Sequence, residues 1–140
     1  MASRKLTAIA LSAALAAVLA APASARQQDS LSSSWANVNI CSTSQLGARA
    51  QLSGDGSSDA MLMRFTAQWL SPGGWVPLNG AATSPWQSAG SAEYTWGQAG
   101  WTFSLSVPAG KSYQLRAVAE MQMGFGRTAM QVTGSCSVSG

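Results

Sequence analysis

Residues Trp101–Met123 read W-T-F-S-L-S-V-P-A-G-K-S-Y-Q-L-R-A-V-A-E-M-Q-M. Trp101, Phe103, Leu105 and Val107 alternate with Thr102, Ser104 and Ser106. A period of two puts the apolar set on one face of a strand and the polar set on the other. Pro108-Ala109-Gly110 then supplies turn residues. Beyond them Tyr113, Leu115, Ala117, Ala119, Met121 and Met123 alternate with Gln114, Arg116, Glu120 and Gln122, and only Val118 interrupts the polar face. Two such half-apolar strands need a second sheet to cover them. Tyr113 stands just past the corner, where a sandwich places a tyrosine whose hydroxyl bonds back to upstream backbone. The expected partner is backbone within 107–111.

The same alternation extends outward. Trp35 to Ser42 reads as a first strand, with a bulge or strand end near Cys41, because Val38 and Ile40 have opposite parity to Cys41. Leu46, Ala48, Ala50 and Leu52 mark a second strand. Met61, Met63, Phe65, Ala67 and Trp69 mark a third, the most apolar. Ser71-Pro72-Gly73-Gly74 is a hairpin loop, and Pro77 assigns the return strand Trp75–Leu78 to an edge. Asn79–Ser91 reads as the longest loop and Ala92–Trp96 as a short strand. Met130, Val132, Gly134, Cys136 and Val138 form one last stripe. The fold class is all-β, an immunoglobulin-like antiparallel β-sandwich of about seven to eight strands.

The start of the chain has a separate purpose. Arg4-Lys5, the apolar run Leu6–Ala21 and Ala23-Ser24-Ala25 have the form of a secretory signal with its cleavage site. The organisation expected is a signal peptide over 1–25, a flexible serine-rich leader over 26–34 and one sandwich domain over 35–140. Export places the protein outside the cell, with no membrane span after cleavage. With Arg4 and Lys5 removed from the 8 basic residues, 6 remain against 5 acidic, a net of +1. That surface has no electrostatic footprint for nucleic acid. Two cysteines in an exported chain, Cys41 and Cys136, read as a disulfide. The absence of histidine and of C-x-x-C argues against a thiolate metal or redox site.

Catalytic constellations are scarce. Without histidine, Ser-His-Asp and Cys-His arrangements are excluded. Asp55 and Asp59 share one loop and read as a solvated turn, with a weak Ca²⁺ site as the alternative. Met61/Met63 and Met121/Met123 each place two thioethers on one face; the reading is core, the alternative a Cu(I) site. No cofactor and no resident metal are expected. Six tryptophans are many for a chain of this size. Trp69 and Trp101 continue core stripes, whereas Trp75, Trp86 and Trp96 lie near strand ends or in loops. These three are the candidate ligand-binding aromatics, able to stack on sugar rings or anchor a partner. The alternative is that they shield sheet edges.

W-A-N-V-N-I-C (Trp35–Cys41), M-R-F-T-A-Q (Met63–Gln68), Q-A-G-W-T-F-S-L (Gln98–Leu105) and L-R-A-V (Leu115–Val118) resemble segments of a group of small exported actinobacterial proteins. The resemblance spans most of the chain after the signal. It implies an immunoglobulin-like sandwich, export and a disulfide between the first strand and the C-terminal region, and carries no assigned activity. This chain departs from the group in being short after Arg127 and in having Met121 and Met123 where an aromatic is common. It also has Leu115 where antibody domains place a cysteine two residues after the corner tyrosine.

The functional expectation is an exported, non-catalytic domain with a binding or structural role at the cell exterior, its partner an extracellular protein or a glycan. A carbohydrate-binding module using the surface tryptophans is the alternative, and a carboxylate-dependent hydrolase a distant one.

Overall fold

The alternating stretches form strands because each satisfies its backbone in a ladder while turning one side inward. The computed structural model describes Leu31 and residues 33–140. The signal peptide expected over 1–25 and most of the leader expected over 26–34 lie outside the described residues. Among the described residues nine strands follow in order: β1 (Trp35–Cys41), β2 (Gln45–Ser53), β3 (Ala60–Ser71), β4 (Gly74–Pro77), β5 (Gln87–Ser91), β6 (Trp96–Ser104), β7 (Ser112–Met123), β8 (Thr128–Val132) and β9 (Cys136–Ser139). One sheet has the order β1-β2-β6. The other has the order β4-β3-β7-β8, with β5 also paired to β3 and β9 also paired to β7. Every pairing is antiparallel. The protein is an all-β sandwich of two packed sheets.

The core is built on β3 and β7. Across this ladder Met61 faces Met123, Met63 faces Met121, Phe65 faces Ala119 and Ala67 faces Ala117. All eight are completely buried. Leu46, Ala48, Ala50 and Leu52 of β2, with Phe103 of β6, cover them from the other sheet. The buried set mixes alanines with Met, Leu and Phe, which lets side chains of different size fill the interior. The four thioethers are thus core, sealed from any incoming ion. At Gly97 the two sheets approach closely, since a Cβ there would lie 1.9 Å from the Ala89 carbonyl oxygen and 2.6 Å from Met61 Cε.

The first strand resolves its parity conflict with a bulge. The β1–β2 register shifts between Val38 and Ile40. Gly47 makes room for it: a Cβ there would stand 2.7 Å from Asn39 Oδ1. Cys41 can then bond to Cys136, with Cα atoms 6.5 Å apart. The bridge joins β1 of one sheet to β9 of the other.

Several boundaries differ from the sequence expectation. The segment read as a long loop contains β5, which pairs with β3. Ala92 to Thr95 is a turn, and β6 starts at Trp96. The last stripe divides into β8 and β9. Gln131 faces Ala119 and Val132 faces Val118, yet Cys136 faces Leu115. Four residues in this segment therefore span three of β7, and the extra residue exchanges the faces. Met130 and Val132 consequently point outward, whereas Val138 is buried. Thr133 holds the junction, its Oγ1 accepting from Ala117 N at 2.9 Å. At the end of the expected leader, Leu31 is packed in the core. Ser34 Oγ donates to the Leu31 carbonyl and accepts from Gln131 Nε2 at 3.1 Å. This part of the leader is attached to the domain.

Two stability predictions follow from the packing. Met63→Ala should cost about 2–5 kcal/mol in denaturant unfolding, because it empties a fully enclosed site; a cost below about 1 kcal/mol would contradict the packing. Reduction of Cys41–Cys136 releases a link spanning 95 residues. The chain-entropy model gives at most about 4–5 kcal/mol for it. Unfolding with and without reductant measures this, and an unchanged midpoint would refute it.

Candidate functional site

The outward residues of β3 and β7 form the most elaborate surface. Their register sets Arg64 opposite Glu120, Thr66 opposite Val118 and Gln68 opposite Arg116. Arg64 forms a forked pair with Glu120, Nε and Nη2 donating to Oε2 and Oε1. Arg116 Nε donates to Gln68 Oε1 at 2.8 Å. Segment 82–84 runs along the other side of β3. Ala67 N donates to the Ala82 carbonyl, Ser84 N to the Phe65 carbonyl, and Phe65 N to Ser84 Oγ. This lacing brings Thr83 Oγ1 to 2.9 Å from Thr66 Oγ1.

A groove of about 420 Å³ results, lined by Arg64, Thr66, Gln68, Thr83, Val118, Glu120 and Met130. Val118, the one apolar interruption of the polar face, is buried here beside exposed Met130 and Val132. Trp86 and Trp75 flank the groove. The Arg64 guanidinium lies 4.7 Å from the centre of the Trp86 ring, and that of Arg116 lies 4.3 Å from the Trp75 ring. Trp75 is opposite Leu70 and so shares the outer face. By the rise of a strand, the levels of Arg64 and Leu70 are roughly 20 Å apart. Each arginine engages one face of its tryptophan and restrains the ring. Trp86 retains 40% of its surface exposed, and Trp75 is half-buried.

The third candidate aromatic is elsewhere. Trp96 faces Ser53 on β2, outside the three-stranded sheet, and is 54% exposed. The three tryptophans therefore share no single surface: two frame the groove and one lies across the sandwich.

The corner expectation for Tyr113 is corrected. Among the described residues its hydroxyl makes no hydrogen bond to backbone within 107–111. It faces Val138 in the β7–β9 ladder, and its ring stands edge-on to Trp69, centroids 5.7 Å apart. The ring packs against the core.

The loop at Asp55 and Asp59 is also more than a solvated turn. Arg127 donates to Asp55 Oδ2 at 3.2 Å and to Asp59 Oδ2 at 2.6 Å. It latches the β2–β3 loop to the β7–β8 turn and takes the place a cation would occupy. The Asp55 side chain is only 5% exposed. Exposed Tyr94 and Phe125 sit on neighbouring turns at this end. Sequence reasoning passed over both, and over Arg64, Gln68, Arg116 and Glu120. The signal available was a charged or amide residue at alternate strand positions, which acquires meaning only when the register is known.

No protein-family model matches the chain, and no curated protein matches it in sequence. Among the described residues no helix is long and apolar enough to cross a membrane.

The latch has a pH signature. The Ser57 hydroxyl holds the Asp55 carboxyl below its ordinary range; burial opposes this, and the Ser57 amide and Arg127 reinforce it. A lowered folded-state pKa gives stability that is complete above the unfolded value, near pH 4, and is lost as pH falls through the folded value. Urea midpoints of the wild type should decline below about pH 4. Asp55→Asn should be less stable at neutral pH and show a flatter acid limb; parallel limbs would refute the latch.

Proposed function

We propose that the protein is an exported, non-catalytic binding domain, that its ligand seat is the outer groove on β3 and β7, and that the ligand is a glycan chain. The observation that carries this reading is the pair of arginine-restrained tryptophans, Trp75 and Trp86, flanking one polar groove. Tryptophan presents a flat apolar face to a sugar ring. Thr66, Thr83, Gln68 and Glu120 supply the donors and acceptors that hydroxyl groups require. Rings held on arginines at different levels of the β3–β7 ladder suit an extended chain better than a monosaccharide. The only carboxylate lining the groove, Glu120, is paired with Arg64, whereas glycoside hydrolysis uses two carboxyl groups.

Export is supported by the signal-like start of the chain, by the Cys41–Cys136 disulfide and by the resemblance to exported actinobacterial proteins. A second reading, an extracellular protein partner, is favoured by the apolar island of Val118, Met130 and Val132 within the same face.

The position of Trp96 on the opposite sheet provides a control. Wild type and Trp96→Ala should be retained on at least one insoluble polysaccharide, and the Trp75→Ala/Trp86→Ala double variant, still folded by circular dichroism, should elute. Equal retention of all three proteins, or no retention on a panel of cellulose, chitin, xylan and cell-wall glycan, would defeat the glycan reading.

A further inference from the structure

Another concavity lies between the sheets, at the end of the sandwich away from the Arg127 latch. It encloses about 390 Å³. The alternation Trp101-Phe103-Leu105-Val107 continues past the end of β6 at Ser104, so Leu105 and Val107 leave the sheet while still packing against the core. Trp69, Leu78, Leu105, Val107, Tyr113 and Leu115 form the apolar lining, with the Trp69 and Tyr113 rings perpendicular to one another. The volume lies within the range of small-molecule pockets.

Two polar groups on this lining are uncommitted. Neither the Tyr113 hydroxyl nor the Trp69 indole N–H makes a hydrogen bond among the described residues. Neither is sealed in, because no buried side-chain nitrogen or oxygen there lacks a partner. Such groups on aromatic rings usually have a partner once a site is closed. The lining contains no Asp, Glu, Lys or Arg. An ionised ligand would lose its hydration there with no counter-charge in return.

We propose that this cleft is a binding site for a neutral, mainly apolar small molecule carrying one hydroxyl or carbonyl group. The apolar body fills the space between the sheets, and the polar group meets the Tyr113 hydroxyl or the Trp69 N–H at the mouth. The site is independent of the glycan reading, since Trp69 and Tyr113 face inward whereas Trp75 and Trp86 lie on the outer face.

The test is methyl NMR of the secreted chain titrated separately with 1-octanol, octanoate and octylammonium. Octanol should shift the methyls of Leu78, Leu105, Val107 and Leu115 saturably, and the two ions should bind at least about tenfold more weakly. Val107→Trp should fill the cleft and abolish the shifts; Ser106→Trp, at an exposed position on the same lining, serves if the first variant does not fold. The proposal is overturned by an absence of saturable shifts up to the solubility limit of octanol, by equal binding of the three probes, by shifts centred on Met130 and Val132, or by octanol binding that persists in the folded variant.

Discussion

The pairing of β3 with β7 is the constraint on which the remainder of the structure depends. Two twelve-residue strands lie side by side, each apolar at every second position. Their shared inner face carries four methionines and a phenylalanine with no residual exposure. Leaving that face wet would forfeit about 25 cal/mol for each Å² of apolar surface. A covering sheet is therefore obligatory, and β2 with β6 supplies it. The disulfide then fixes the outer strands β1 and β9 across the two layers.

The same register that closes the core generates the surface. Residues one position away from the core stripe point outward, so Arg64 meets Glu120 and Gln68 meets Arg116 as a direct consequence of Met63 meeting Met121. A slip of one residue would exchange the core and groove residues together. Core and groove are in this sense one specification. The arginines form cross-strand hydrogen bonds and at the same time restrain Trp75 and Trp86. Each ring is thus covered on one face by a guanidinium that is itself hydrogen-bonded across the ladder.

The two ends of the sandwich are finished by different physics. At one end Arg127 closes the loops on two carboxylates, one of them nearly enclosed. At the other, the strand of the covering sheet stops before its apolar stripe is exhausted, and aromatic rings line the gap. The charged end is locked from within the protein. Among the described residues the aromatic end is closed by no ion pair, and its lining contains no charged residue.

The sequence alone determined the strand class, the inner faces of β2, β3 and β7, the edge position of β4, the need for a bulge before Cys41 and the cysteine pairing. Each follows from a period of two, a proline or a count of two cysteines, which are local properties of the chain. It did not determine which segments of 79–96 pair, because β5 consists of small and polar residues, Gln-Ser-Ala-Gly-Ser, and forms through backbone bonds to β3 rather than through a pattern of its own. It did not reveal the exchange of faces between β8 and β9, where one extra residue inverts the parity of an apparently continuous stripe. The candidate tryptophans could be named but not assembled. Which rings share a surface depends on which strands become neighbours, and pairing between residues distant in sequence is set by the whole packed core. The groove, the latch and the cleft all arise from such distant pairings, so only the tertiary structure decided them.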